Sequence, residues 1–191
     1  MMKNVSVELT GVCPLLMHNG QTADPLNNFA KELKASNGKK KKTDPDHLEI
    51  ARIEFFAGLY MEGDDYIIPS ENIEGMLGKA SHEVLKISKA KTSGSLMVEQ
   101  SFVLTEYTGS KDPKKRQIDN NCFDRRLVKI QTSRIVRVRP KFCNWKAIGE
   151  ISYMDGVYDE KAVLKLLEAC GKVVGIGDYR PKFGRFTVEK I

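Results

Sequence analysis

The stretch DEKAVLKLLEACGKVVGIGDYRPKFGRFTVEK, Asp159 to Lys190, decides how the chain is read. Asp159 is an N-cap acceptor, and Ala162, Val163, Leu166, Leu167, Cys170 and Val174 recur on one face at helical spacing. The spacing predicts a helix. Glycines and basic residues follow, Gly175-Ile176-Gly177-Asp178-Tyr179-Arg180-Pro181-Lys182-Phe183-Gly184-Arg185-Phe186, and Phe183 to Lys190 reads as a closing strand. The loop leaves a helix and enters a strand, the reverse of the βα turn in a dinucleotide-binding fingerprint. Glycine lets another backbone approach closely. Backbone N–H groups around Gly175 and Gly177 can face a phosphate there, with charge from Arg180, Lys182 and Arg185. The plainer reading is an ordinary helix-to-strand connection.

Upstream, Trp145 to Tyr153 and Val128 to Arg139 read as strands joined by a hairpin connection at Pro140 to Asn144. Thr108 to Leu127 is polar, basic and turn-rich and reads as a long inserted loop, preceded by a strand from Glu99 to Tyr107. Pro69-Ser70 opens a helix with the stripe Ile73, Leu77, Ala80, Val84 and Ile87. Gly75 and Gly78 interrupt it, each about 1 kcal/mol less favourable than alanine. Close packing against another backbone is their expected reason. Gly63-Asp64 reads as the turn of a short hairpin between Leu59-Tyr60-Met61 and Tyr66-Ile67-Ile68. Asp44-Pro45 reads as a helix start, with Asp44 as cap. Ser36 to Thr43 reads as a loop, Pro25 to Ala35 as a short helix, and Cys13 to Asn28 as a loop. Val5, Val7 and Leu9 alternate with Ser6, Glu8 and Thr10, as in a half-buried strand.

The large pieces thus run strand, helix, strand, strand, helix, strand. That order predicts an α+β fold with a ferredoxin-like or RRM-like antiparallel sheet. Helices are expected on one face, with the other open to a ligand. A single domain over 1–191 is expected, with basic insertions at about 36–43 and 108–127. The length of 191 residues suits about one domain, and 41% hydrophobic with 29% charged residues excludes a disordered tail, a collagen or a small disulfide scaffold. No apolar run approaches the length of a membrane span, and the N-terminus reads as a strand, not a secretory signal. Cys13, Cys122, Cys143 and Cys170 are scattered without zinc spacing, as expected of thiols in a reducing cytoplasm. There is no Walker A, GxSxG or HExxH sequence, and Asp24, Asp64, Asp65, Asp119, Asp124 and Asp178 form no recognisable metal set. Neither a metal nor a cofactor is expected.

Charge is concentrated. Gly109 to Lys146 holds twelve Lys and Arg against three Asp, a net +9, while the whole chain is +6 and the remainder therefore −3. The cations include Lys114, Lys115, Arg116, Arg125, Arg126, Arg134, Arg137 and Arg139, and a second cluster is Lys39, Lys40, Lys41 and Lys42. Such clustering is the electrostatic footprint of a polyanion partner. A solvated basic face without a partner is the weaker reading for Arg-rich strand sequence. Read as one strand, Ile130 to Arg139 puts Gln131, Ser133, Ile135, Arg137 and Arg139 on one face, and Ile130, Thr132, Arg134, Val136 and Val138 on the other. Arg guanidinium pairs bidentately with phosphate and stacks on bases. Phe142, Trp145 and Tyr179 sit beside basic residues as stacking platforms, although Trp145 is as readily a core anchor.

Three stretches together resemble the RAMP superfamily, the repeat-associated RNA-binding proteins of CRISPR effector complexes. They are the loop Gly175 to Phe186, Val7-Glu8-Leu9-Thr10-Gly11 through Pro14-Leu15-Leu16-Met17, and Ile68-Pro69-Ser70-Glu71-Asn72-Ile73-Glu74-Gly75-Met76-Leu77. Met76 and Leu77 stand where the family pattern has an Arg after the helix glycine. The layout is most similar to the backbone subunit, including a small phage or mobile-element relative. The resemblance implies a non-catalytic protein that holds single-stranded nucleic acid, RNA before DNA, in a basic groove. It also implies a homo-oligomeric row of subunits or a CRISPR-like complex, without a membrane. Family members that process guide RNA use a loop histidine as general base, which makes His18 the alternative catalytic residue of an endoribonuclease. A locally hydrogen-bonded histidine is the preferred reading of His18. A protein-interaction module, such as a phage inhibitor mimicking a CRISPR subunit, is the third.

Overall fold

The computed structural model describes residues 1–130 and 133–191. The chain begins with β1 (Met2–Gly11), β2 (Leu15–Leu16), a 3-10 turn (Gly20–Ala23), α1 (Asn28–Asn37) and α2 (Asp44–Gly58). There follow β3 (Met61–Glu62), β4 (Asp65–Ile68), α3 (Ser70–Leu85), α4 (Lys89–Ser93), β5 (Leu96–Met97) and β6 (Phe102–Tyr107). Then come α5 (Pro113–Ile118), β7 (Phe123–Ile130), β8 (Ser133–Phe142) and β9 (Trp145–Met154). Finally α6 (Glu160–Ala169) runs into a π turn (Cys170–Val174) before β10 (Phe186–Lys190). The class is mixed α+β, as read from sequence, and the strands pair antiparallel. These elements gather into two compact units.

One unit comprises Met1–Leu15, Met61–Thr108 and Cys143–Ile191. Its sheet runs β10-β1-β9-β6-β4-β3, with β5 added on β9. Period-two alternation sends Val5, Val7 and Leu9 of β1, Ala147 and Ile151 of β9, and Phe102 and Leu104 of β6 into the core. Helices α3 and α6 pack together and bury Ile73, Met76, Leu77 and Ala80 with Val163, Leu166 and Leu167. Val84, expected in that stripe, is exposed, because α3 ends at Leu85 and Lys86 turns left-handed, φ 57°. The Gly75 position meets open space, so the close contact expected there is absent; at Gly78 an added Cβ would meet only the Lys89 side chain.

The other unit comprises Leu16–Tyr60 and Gly109–Phe142. Helix α2 starts at Asp44, the residue expected to cap it, so its cap lies one residue earlier. Thr43 is the N-cap, and the Asp46 carboxylate accepts from the Thr43 N–H at 2.8 Å and from its hydroxyl at 2.9 Å. The expected single strand Val128–Arg139 is instead the hairpin β7–β8, in register from Phe123↔Pro140 to Ile130↔Ser133. Gln131 and Thr132 lie outside the described residues. Each arm alternates with period two and no Gly, Pro, Asn or Asp marks a break between Val128 and Arg139, so the pattern read as continuous. The expected loop Thr108–Leu127 holds α5, capped by Asp112, and the first half of β7.

Candidate nucleic-acid interface

The two units differ in charge. Leu16–Tyr60 with Gly109–Phe142 carries eighteen Lys and Arg against nine Asp and Glu, a net +9. The other unit carries thirteen against sixteen, a net −3. Every residue of the expected basic site except those of the Gly175–Arg185 loop therefore belongs to the positive unit.

The hairpin sorts its cations by face. Directly opposed residues share a face. Arg126 opposes Arg137 and Asp124 opposes Arg139, so three arginines lie on one face; Arg125, Lys129 and Arg134 lie on the other, Lys129 directly across from Arg134. The placement of Arg137 with Arg139 on one side and Arg134 on the other matches the period read within β8. Carboxylates engage guanidiniums on the first face. Arg126 is held by Asp124, and Arg137 by the buried Glu54 of α2. Glu54 also accepts the Val138 N–H at 2.8 Å. Arg139 is only 8% exposed. On the second face Arg125, Lys129 and Arg134 are exposed, and between them the cross-strand pair Leu127 and Val136 is 62% and 44% exposed.

A pocket of about 380 Å³ opens beside the first face. Its charged lining is Lys129, Arg137 and Arg139 against Glu54, and His18 and Asn19 form part of its wall. The His18 side chain is exposed, while its carbonyl accepts the Tyr60 hydroxyl at 2.9 Å. Asn19 is fixed from both ends, its amide nitrogen donating to the Leu59 carbonyl at 3.1 Å and its oxygen capping the 3-10 turn through the Gln21 N–H.

Other expected site residues separate in the same way. Lys40 and Lys41 are exposed. Lys39 is engaged by Asp46, and the Lys42 ammonium donates to the Lys39 carbonyl at 3.4 Å. Lys114 and Lys115 are exposed on α5, but Arg116 is fully buried. Its guanidinium lies 4.1 Å from the Phe142 ring centre and donates to the Lys141 carbonyl at 2.9 Å and the Ser110 carbonyl at 3.3 Å. Arg116 is a core residue and no phosphate ligand, because Phe142 and two main-chain carbonyls replace the solvent around it. The expected stacking roles of Phe142 and Trp145 fail for the same reason: both are buried, and the Trp145 indole donates to the Cys13 carbonyl at 2.9 Å.

The glycine loop is closed by its own backbone. Gly175 N–H donates to Cys170, Ile176 N–H to Gly184 and Gly184 N–H to Pro14, each at 2.8 or 2.9 Å. Gly175 and Gly184 have φ +71° and +72°, and a Cβ on Gly184 would meet the Ile176 carbonyl at 1.7 Å. The phosphate role expected of the Gly175 N–H is therefore corrected: that donor is buried and engaged. Gly177 is half-buried, and Arg180, Lys182 and Arg185 remain exposed.

The sheet face expected to be open to a ligand is acidic, so it does not supply the expected basic groove. In β10, β1, β9 and β6 that face carries Glu8, Glu106, Glu150 and Glu189, with Lys146 as the cation among the described residues, 3.0 Å from Glu8 and 3.7 Å from Glu106. The hydrogen bond to Glu8 raises the Lys146 pKa. Four carboxylates repel a phosphate strand there.

Sequence reasoning missed Lys129 as a residue of the pocket lining and Glu54 as the ion-pair partner of Arg137. The signal for Glu54 was an acid inside the apolar run Ile53-Glu54-Phe55. Among the described residues no helix is long and apolar enough to cross a membrane, and no group of three or more His, Cys, Asp and Glu is arranged to hold a metal ion. No protein-family model matches the chain, and no curated protein matches it in sequence.

Proposed function

We propose that this protein binds single-stranded nucleic acid, RNA before DNA, without cleaving it, through the positive unit. The observation that carries the reading is the +9 charge of that unit with Arg125, Lys129, Arg134, Lys114, Lys115, Lys40 and Lys41 exposed on it. Each cation that neutralises a phosphate releases condensed counterions, so affinity is sequence-tolerant and salt-sensitive. The exposed Leu127–Val136 pair adds an apolar surface between cations where unstacked bases can rest.

Strand order supports a ferredoxin-like core: β10-β1-β9-β6 are neighbours, with α3 leading into β6 and α6 into β10. In this reading the protein is a cytoplasmic RAMP-like subunit that lines up with further copies along one strand. Fluorescence anisotropy with single- and double-stranded RNA and DNA, paired with light scattering, tests both parts. Single-strand binding that falls with salt, with mass rising on longer oligonucleotides, is expected. No oligonucleotide binding removes the function, and a one-to-one complex at every length removes the row.

One observation favours a second reading, a guide-processing endoribonuclease: the exposed His18 side chain borders the same pocket as Lys129, Arg137 and Arg139. A base beside clustered cations suits 2′-hydroxyl attack on a phosphodiester. Labelled RNA incubated with the wild type and with His18→Ala decides it; intact RNA in both leaves binding alone.

A further inference from the structure

The pocket bordered by His18 raises a question that a basic surface does not: why three cations converge on a concavity with one carboxylate. From this geometry we infer that it is a site for a single nucleoside 5′-phosphate unit, where Lys129 of the second hairpin face meets Arg137 and Arg139 of the first. The choice of ligand class rests on the polyanion reading proposed above.

Volume comes first. About 380 Å³ lies within the roughly 300–1,000 Å³ of small-molecule sites, room for one nucleotide and not for a run of them. Charge is next. Lys129, Arg137 and Arg139 against Glu54 sum to +2, matching a phosphate monoester. Arg139 is mostly withdrawn from water, and a cation in that setting interacts more strongly with an anion than one in bulk solvent. Glu54 fixes Arg137, so its guanidinium is held in place before the ligand arrives. The remaining wall is mixed: Leu33, Ala57 and Val128 give apolar contact for a base. Asn19 and the 3-10 turn are themselves hydrogen-bonded, which makes the rim rigid. No bond is made or broken; the site recognises.

The ligand can be a free nucleotide or one nucleotide of a bound strand, and one experiment separates them. The full chain is labelled for NMR and titrated with AMP, with adenosine, and with a single-stranded ten-nucleotide RNA. AMP is expected to saturate one site and shift the amides of His18, Asn19 and Lys129, with adenosine at least tenfold weaker for want of the phosphate. Lys129→Glu, an exposed strand position, is expected to weaken AMP about tenfold or more without unfolding the protein, as its spectrum reports. Lys161→Glu, exposed on α6 of the other unit, is expected to leave AMP affinity within about twofold. If the RNA shifts the same amides and AMP displaces it there, the ligand is a nucleotide of the strand. If the RNA leaves them unmoved while AMP binds, the ligand is free nucleotide, and the site stands in either case. Non-saturating AMP shifts, or AMP binding that ignores Lys129→Glu, overturn the site even if RNA binds elsewhere. AMP binding without any RNA binding would instead sink the strand-binding function and spare the pocket.

Discussion

The guanidinium of Arg116 rests 4.1 Å from the centre of the Phe142 ring, inside the most basic segment of the chain. It shows that positive charge in this protein has two separate duties. Arg116 holds α5 to the end of β8, whereas Arg125, Lys129 and Arg134 face water on the hairpin. Replacing Arg116 with alanine removes a desolvated cation–π contact and leaves the Lys141 carbonyl without its guanidinium donor, costing about 3 kcal/mol of stability. Denaturant unfolding measures the loss. Lysine is a poor substitute, because it lacks the planar fork. The salt dependence of oligonucleotide binding by folded Arg116→Ala should equal that of the wild type; a shallower slope would mean that Arg116 reaches phosphate after all.

Glycines make the opposite case in two places. At Gly184 an added Cβ would meet the Ile176 carbonyl at 1.7 Å in a left-handed backbone, so Gly184→Ala should destabilise by more than about 3 kcal/mol or prevent folding. At Gly75 nothing lies within 4 Å, the residue is in α3, and alanine should stabilise by about 0.5–1 kcal/mol. Thermal melts of the two variants check both signs, and a destabilised Gly75→Ala would point to a partner on that helix face.

The start of α2 should respond to acid in a defined way. The Lys39 ammonium, followed by the Thr43 N–H and hydroxyl, holds the Asp46 carboxyl well below the usual carboxylate range. A carboxyl more acidic folded than unfolded contributes stability that is complete above its unfolded pKa, about 4, and fades as pH falls through the folded value. Hydrogen-exchange protection at the Thr43 amide should therefore survive below pH about 4 and then fail. Protection lost with an ordinary carboxylate midpoint would contradict the capping contact. Lys39→Ala should move the loss to higher pH.

Much of the fold was legible because its cues are local. Val5, Val7 and Leu9 announced a strand by alternation, and Asp159 and Pro69-Ser70 marked helix starts that stand within a residue of where they were read. Charge position was legible only as a segment. Sequence could concentrate +9 between Gly109 and Lys146, but it could not tell Arg116, enclosed by Phe142, from Lys115 beside it in the open. That distinction depends on tertiary packing. The hairpin was hidden because both arms share one period with no turn residue between them. Reading it as one strand paired Arg137 with Arg139 correctly but concealed Lys129 across from Arg134. The acidic sheet face was missed because Glu8, Glu106, Glu150 and Glu189 are far apart in the chain and meet only through strand register.

The central claim is that phosphate is bound by the hairpin's exposed cations and not by the sheet. Its most direct test is the salt dependence of single-stranded RNA binding, followed by fluorescence anisotropy, for the wild type, for Lys129→Ala with Arg134→Ala, and for Lys146→Ala on the sheet. The hairpin double variant should lose about one unit of log–log salt slope per lost phosphate contact and bind more weakly across sequences, while Lys146→Ala matches the wild type. An unchanged slope in the hairpin variant, or a loss confined to Lys146→Ala, would contradict the account.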